Sequence, residues 1–249
     1  MGLSIVLFLG GAMPLWAEFQ INSFTTSNQD FPMISHDSAG GFVVAWASET
    51  QDGSLYGIFG QRFGSSGSKV GGEFQVNSFT LNFQTKPAIS HDSAGGFVVA
   101  WQSYTQDGSS DGVFGQRFNS SGSKVGGEFQ VNSFTTSIQH FPAISHDFAG
   151  GFVVAWQSNN QDGPSDGIFG QRFNSSGSKV GGEFPVNSFT SNRQDAPAIS
   201  HDSAGDFVVA WESNTQDGSL YGVFGEFFVG RRLVTGPAAA GASRVRVFR

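Results

Sequence analysis

The stretch Pro87-Ala-Ile-Ser-His-Asp-Ser-Ala-Gly-Gly-Phe-Val-Val-Ala-Trp101 recurs with small changes every 55 residues, in copies that end at Trp46, Trp156 and Trp211. Two β-prone runs, one around Ile89 and one from Phe97 to Trp101, flank Asp92-Ser-Ala-Gly-Gly96, which has the residue types of a tight hairpin turn. Working outward, that hairpin sits inside a longer unit present four times, at 18–72, 73–127, 128–182 and 183 to about 228. The second and third copies differ at only ten of 55 positions. A fixed period of about 40–55 residues with several strands per unit is the signature of a propeller or a related array.

On the second copy four strands are expected: 73–79 (Glu-Phe-Gln-Val-Asn-Ser-Phe), 88–91, 96–103 and 112–118. The run Phe97-Val-Val-Ala-Trp101 is apolar on both faces, which suits a sheet sandwiched between sheets. Asn119 to Gly127, rich in Ser and Gly, reads as a flexible link. The predicted fold is therefore all-β, a β-propeller of four blades with four antiparallel strands each, built from the four 55-residue repeats. The fourth copy stops without an outer Glu-Phe-Gln-Val strand, and the chain's first repeat opens with Glu18-Phe-Gln-Ile-Asn-Ser-Phe24. That segment is expected to pair into the last blade, closing the ring and removing an edge that invites aggregation. A closed ring is a monomer, whereas an open array would dimerise to a larger ring. The Trp46, Trp101, Trp156 and Trp211 side chains, with Phe42, Phe97, Phe152 and Phe207, are the expected core between blades.

Composition narrows the function. Aromatic residues make up 14% of the chain and charged residues 13%, so a core can be filled. Cysteine is absent, which excludes disulfides, zinc-thiolate sites and thiol nucleophiles. The body carries all 20 acidic residues but 8 of the 13 basic ones, and a net acidic body disfavours nucleic-acid binding. The other five basic residues lie in 229–249, where the repeat pattern is lost, and that tail reads as disordered. Residues 1–17, with an apolar run at 3–9 too short to span a bilayer, read as a secretory signal peptide, so 18–228 is the repeat domain. The expected location is secreted or cell-surface, with no integral membrane segment after cleavage.

From Trp46 to Phe63 the chain reads Trp-x-Ser-x-x-Gln-Asp-Gly-Ser-x-x-Gly-Ile-Phe-Gly-Gln-Arg-Phe, and this motif resembles tandem repeats of large secreted bacterial surface proteins. The resemblance covers 18 to about 228 and implies a β-propeller or adhesin-type array with a binding or structural role outside the cell. The run Ser90, Asp92, Gly95, Phe97 is similar to the Asp-box hairpin of sialidases, with the glycine one place late and Gly96 where Thr is usual. That box is a folding element, so it implies architecture and no reaction.

Three constellations bear on chemistry. His36, His91, His146 and His201 occupy equivalent positions, each followed by Asp37, Asp92, Asp147 or Asp202; as an axial ring the imidazoles would bind a transition metal, and as strand-ending polar residues they would only close the hairpins. His140 stands outside this register and reads as incidental. The loop aspartates Asp52, Asp107, Asp162 and Asp217, joined by Asp111 and Asp166 in the middle repeats, are the candidate ligand-binding residues. With loop carbonyls they offer oxygens of the kind Ca2+ takes, although Tyr56 and Tyr221 replace the second Asp in the outer repeats. No catalytic residue is assigned, since each acidic cluster is a repeat copy and no nucleophile elbow, phosphate loop or metalloprotease helix occurs. The expected function is an exported, non-enzymatic binding or surface-structural module whose four similar loops engage a glycan or other cell-surface polymer multivalently, without a cofactor. The competing readings are a propeller-type glycoside hydrolase, which needs two carboxylates in one cleft, and a repeat array with no specific ligand.

Overall fold

In the computed structural model, which describes residues 18–229, fifteen strands and no helix are present among the described residues. The expected signal peptide, 1–17, and nearly all of the expected basic tail, 229–249, lie outside the described residues. The first sheet is β1 (Gln29–His36), β2 (Phe42–Glu49), β3 (Tyr56–Phe63) and β4 (Lys69–Gln75). The second is β5 (Gln84–His91), β6 (Phe97–Tyr104), β7 (Asp111–Phe118) and β8 (Lys124–Gln130). The third is β9 (Gln139–His146), β10 (Phe152–Asn159), β11 (Asp166–Phe173) and β12 (Lys179–Pro185), and the fourth has only β13 (Gln194–His201), β14 (Phe207–Asn214) and β15 (Tyr221–Phe228). Each is an antiparallel meander in chain order.

The hairpin that opens each sheet forms as its residues dictate. Asp92 Oδ1 accepts from the N–H groups of Ala94 and Gly96 at 2.8 and 2.9 Å, and Gly95 takes φ +82°, where a side chain would be strained. The strand pair that follows is in register from His91 opposite Phe97. In the first, second and third sheets the middle strand is buried on both faces; Trp101 and Trp156 have no exposed surface, and Phe97 stacks on Phe118 with ring centres 4.7 Å apart. One apolar cluster joins each pair of neighbouring sheets: Val43, Ala45 and Ile58 meet Phe97, Val99 and Trp101, and the same pairing recurs down the stack. The four expected tryptophans are thus in the core. The first strands of successive sheets run side by side, tied where the Ser35, Ser90 and Ser145 hydroxyls accept the N–H of His91, His146 and His201 at 3.1 Å.

Three expectations need correction. The outer strand starts at Lys124 and ends by Gln130 rather than covering the Glu-Phe-Gln-Val-Asn-Ser-Phe run, because Asn119-Ser-Ser-Gly-Ser makes a closed turn, its Asn119 Oδ1 accepting from Ser121 and Ser123 N–H at 3.0 and 2.9 Å. The first strand begins at Gln84, before Pro87 instead of after it, by way of a bulge. The expected ring closure by 18–24 is not formed: that segment makes no strand, and among the described residues the fourth sheet has three strands. Ile21 packs instead on the first sheet's Val44, Trp46, Phe59 and Phe63, a place each later sheet gives to Val76, Val131 or Val186, the residue just past the outer strand before it. The four sheets therefore form an open, propeller-like stack.

Candidate functional site

The expected ligand-binding aspartates divide when placed in the fold. Asp52, Asp107 and Asp217 each spend Oδ1 on their own turn, accepting from Ser54, Ser109 and Ser219 N–H at 3.1 Å. Asp162 Oδ2 accepts from Asn187 Nδ2 at 3.0 Å. The first three are turn braces, one to a loop, and Asp162 ties its loop to the fourth repeat. Asp111 is held by Gln102, and burial raises its carboxyl above the usual range. Asp166 is drawn into an ion-paired cluster with Arg193 and Asp195 of the next repeat. No set of three acidic or histidine side chains placed to hold a metal ion occurs among the described residues. The equivalent histidines do not form an axial ring; His91, His146 and His201 tilt against Phe97, Phe152 and Phe207 at 5.0–5.2 Å, and burial pushes His91 and His146 down to about 4.

The cluster lies at the opposite end of the sheets from the hairpins. There β11 begins with Asp166, directly across from Asn159, whose Nδ2 donates to Asp166 Oδ1 at 2.8 Å. Gln157 Nε2 donates to Asp166 Oδ2 at 3.0 Å and to Asp195 Oδ1 at 2.6 Å, bridging the third and fourth sheets. Arg193 completes the bridge, its Nε 2.9 Å from Asp166 Oδ2 and its Nη2 3.0 Å from Asp195 Oδ1. The guanidinium is half exposed while both carboxylates are nearly covered. Burial raises Asp195 in spite of Arg193 beside it. With Ile138, His140, Asn159, Pro164 and Ser165, Asp166 and Arg193 line an open cleft of about 340 Å3. Burial lowers His140 to about 4, so it lines the cleft as a neutral imidazole at neutral pH.

A second group stands on the same end, and prolines position it. Pro32, Pro87, Pro142 and Pro197 lack the N–H that would continue the ladder, and the register slips at each of them. The preceding residues Phe31, Lys86, Phe141 and Ala196 take φ of +54°, +54°, +51° and +50°, a strained conformation for residues with side chains. A bulge re-aims the side chain it carries. Here it brings Lys86 Nζ over the Phe31 ring at 4.2 Å and over the Phe141 ring at 4.3 Å, a cation held between rings from the first and third sheets. Both rings keep solvent-exposed surface, 43% and 36%. Burial lowers the Lys86 amine. On the flank, Tyr56 stacks on Phe83 at 6.1 Å and donates from its hydroxyl to Asp30 Oδ2 at 3.0 Å.

What this end offers is apolar ring faces beside fixed donors and acceptors, the makeup of a site for a small polar molecule with apolar patches. Of the expected ligand-binding residues the structure brings Asp166 to it. Sequence reading missed Phe31, Lys86, His140, Phe141, Arg193 and Asp195. The signal that finds them is departure from the repeat: position 193 corresponds to Asn28, Phe83 and Ile138, and position 140 to Asp30, Thr85 and Asp195. Eight of the ten differences between the second and third repeats fall at 81–86 or 104–109 and their counterparts, all at this end.

No protein-family model matches the chain, and no curated protein matches it. Among solved structures it is similar to a protein of unknown function from Dyadobacter fermentans (10% identity, TM-score 0.57), which covers 77% of this chain and of whose length this chain spans 64%. It is also similar to the Hadza microbial sialidase Hz136 (14%, TM-score 0.53, covering 79% of this chain and 44% of the sialidase). An endo-arabinase from Bacteroides thetaiotaomicron is a third (13%, TM-score 0.51, covering 86% and 80%). At such identities the likeness is one of fold. No helix among the described residues is long and apolar enough to cross a membrane.

Proposed function

We propose that this chain is an exported, glycan-recognising module of propeller type, and that the sugar is held at the end of the stack where the repeats differ. The observation that carries the reading is the Phe31–Lys86–Phe141 sandwich beside the cleft lined by His140, Asp166 and Arg193, with the His140 ring 4.6 Å from that of Phe141. A pyranose has an apolar face that stacks on an aromatic ring and hydroxyls that need donors and acceptors around its rim. The solved neighbours named for sialidase and arabinase activity support a carbohydrate ligand. Multivalent display by four Gln-Asp-Gly loops has less support, since three of the four loop aspartates spend an oxygen on their own turns.

The paired carboxylates motivate a second reading, glycoside hydrolysis. Against it, both Asp166 oxygens and Asp195 Oδ1 are already held by Asn159, Gln157 and Arg193, which makes the pair a clamp between sheets. A glycan array probed with the full chain, with and without Ca2+, tests both. The expected result is binding that Phe31→Ala with Phe141→Ala abolishes while chromogenic glycosides stay intact. Absence of binding to any glycan, or binding indifferent to that double change, overturns recognition at this site. Glycoside turnover lost in Asp195→Asn puts hydrolysis in its place.

A further inference from the structure

Among the described residues the fourth sheet ends at β15 with no strand beside it, and Val208 and Val223 on it are 41% and 81% exposed. The other sheets display what belongs there. Beside β3, β7 and β11 the outer strand sets Phe74, Phe129 and Phe184 opposite Gly60, Gly115 and Gly170. Each ring comes within 2.7 Å of where a Cβ on that glycine would stand. Further along, Val76, Val131 and Val186 N–H donate to the carbonyls of Ile58, Val113 and Ile168 at 2.7–2.8 Å. In return the Ile58, Val113 and Ile168 N–H groups donate to the side-chain Oδ1 of Asn77, Asn132 and Asn187 at 2.6–2.9 Å. Finally Glu73, Glu128 and Glu183 accept from Gln51, Gln106 and Gln161. The counterparts on the fourth sheet are Gly225, Val223 and Gln216. A Cβ on Gly225 would meet no ring, only Val209 O at 3.3 Å and Val208 Cγ1 at 4.0 Å.

The matching half of this clasp is the 18–24 segment, whose Glu18, Phe19, Ile21 and Asn22 are the repeat counterparts of Glu73, Phe74, Val76 and Asn77. It is already set on one side. Phe19 lies edge-on to Phe63 at 5.6 Å, as Phe74 lies to Phe118 at 5.4 Å. Asn22 Nδ2 donates to Phe24 O at 2.7 Å and Gln29 Oε1 at 2.9 Å, the same bonds Asn77 makes to Phe79 and Gln84. On its other side no strand pairs with it among the described residues. Clasp and receiver thus belong to the first and last sheets of an open stack.

We propose that residues 18–22 of one molecule pair along β15 of a second copy, in the place that the last three residues of β4, β8 and β12 and the two that follow them take in the other sheets, with Phe19 over Gly225, Asn22 Oδ1 receiving the Val223 N–H and Glu18 receiving Gln216. Strand addition of this kind takes its affinity from main-chain bonds and its specificity from alternate side chains. The contact is head to tail, so a two-fold pair makes it twice and closes a ring of eight sheets, within the range propellers occupy.

The test uses the full chain. Equilibrium sedimentation is expected to give twice the 26.4 kDa chain mass. Val223→Lys, at an exposed position that leaves the fold unchanged by circular dichroism, should run as a monomer. Because the chain has no cysteine, mixing Phe19→Cys and Gly225→Cys chains under oxidation should give a disulfide between two molecules that neither forms alone. A monomer at every concentration without the mixed disulfide overturns the proposal. So does a Phe19→Cys/Gly225→Cys double variant that cross-links within one chain, since the segment would then close its own ring, and so does a dimer that Val223→Lys leaves intact.

Discussion

At one end of the sheets Asp37, Asp92, Asp147 and Asp202 brace the same hairpin and a histidine leans on the same phenylalanine; at the other, positions 30, 85, 140 and 195 carry Asp, Thr, His and Asp. Both ends are made of the same strands in the same register. The difference lies in what the neighbours require. At the hairpin end the Asp brace, the His–Phe contact and the Ser–His tie to the next sheet recur from copy to copy, and single-copy changes such as Phe148 fall where the side chain is exposed. At the far end the sheets are held by unlike chemistry: Tyr56 on Phe83 across the first junction, the Asp166–Arg193–Asp195 clamp across the third, and Asp111 held by Gln102 within the second sheet. In a repeat protein, sameness marks packing, and the places released from sameness are where one particular ligand can be met.

The largest test of that contrast is in the core. Trp101→Ala or Trp156→Ala should cost about 3–5 kcal/mol in chemical denaturation, since each ring is fully enclosed between sheets. A cost below 1 kcal/mol would show that the sheets do not pack as a unit. Next is the hairpin end against pH. His91 and His146 have folded values of about 4 against an ordinary 6.5, chiefly from burial, which Asp37 and Asp92 partly oppose at His91 and Asp92 and Asp147 at His146. Because the unfolded chain binds the protons more readily, their contribution is whole above about pH 6.5 and drains away as pH falls toward 4. It should amount to on the order of 2 kcal/mol for the two together, discounted for partial exposure. Urea midpoints measured between pH 7 and 4 should fall less steeply in His91→Gln/His146→Gln; an identical slope removes the histidines from the account.

At the far end the clamp should matter less. Arg193→Ala leaves Asp166 and Asp195 facing each other without a cation, yet the guanidinium is half exposed, so about 1 kcal/mol is expected. Arg193→Lys should recover only part of it, because one ammonium cannot reproduce the guanidinium fork. Full recovery by lysine would reduce the clamp to simple charge pairing.

The strands, their antiparallel order and the buried tryptophans were legible because one 55-residue unit states them four times. The outer strand's start was not: Lys124-Val-Gly-Gly looks like a linker until Gly126, at φ +71°, is seen to carry it through a bulge. Ring closure was inferred from complementary ends, and complementary ends do not say which molecule they join. The site was least legible. Asp166 was found through its own loop, but its partners Arg193 and Asp195 lie across a sheet boundary, and that proximity exists only once the first strands stand side by side. Lys86, Phe31 and Phe141 each stand before a proline, which in sequence marks a strand's start and in the fold is the bulge that aims them.

The smallest expected effect is the sharpest divider. Phe97 and Phe31 are both phenylalanines on strands of this stack, but Phe97 is 2% exposed and stacked on Phe118, whereas Phe31 is 43% exposed and touches the Lys86 cation. Truncating an exposed ring removes little buried area, and exposed cation–ring contacts are weak, so Phe31→Ala should change stability by no more than about 0.5 kcal/mol. Relaxing the strained φ of +54° gives no relief, since alanine is also a side-chain-bearing residue there; Phe31→Gly, which removes that strain, should if anything stabilise the fold. A ring kept in a strained backbone and half in water, for no gain in stability, is one whose use lies outside the fold. If Phe31→Ala instead destabilises the protein as much as a core substitution does, the ring is a packing element and the far end is only a second kind of hairpin end.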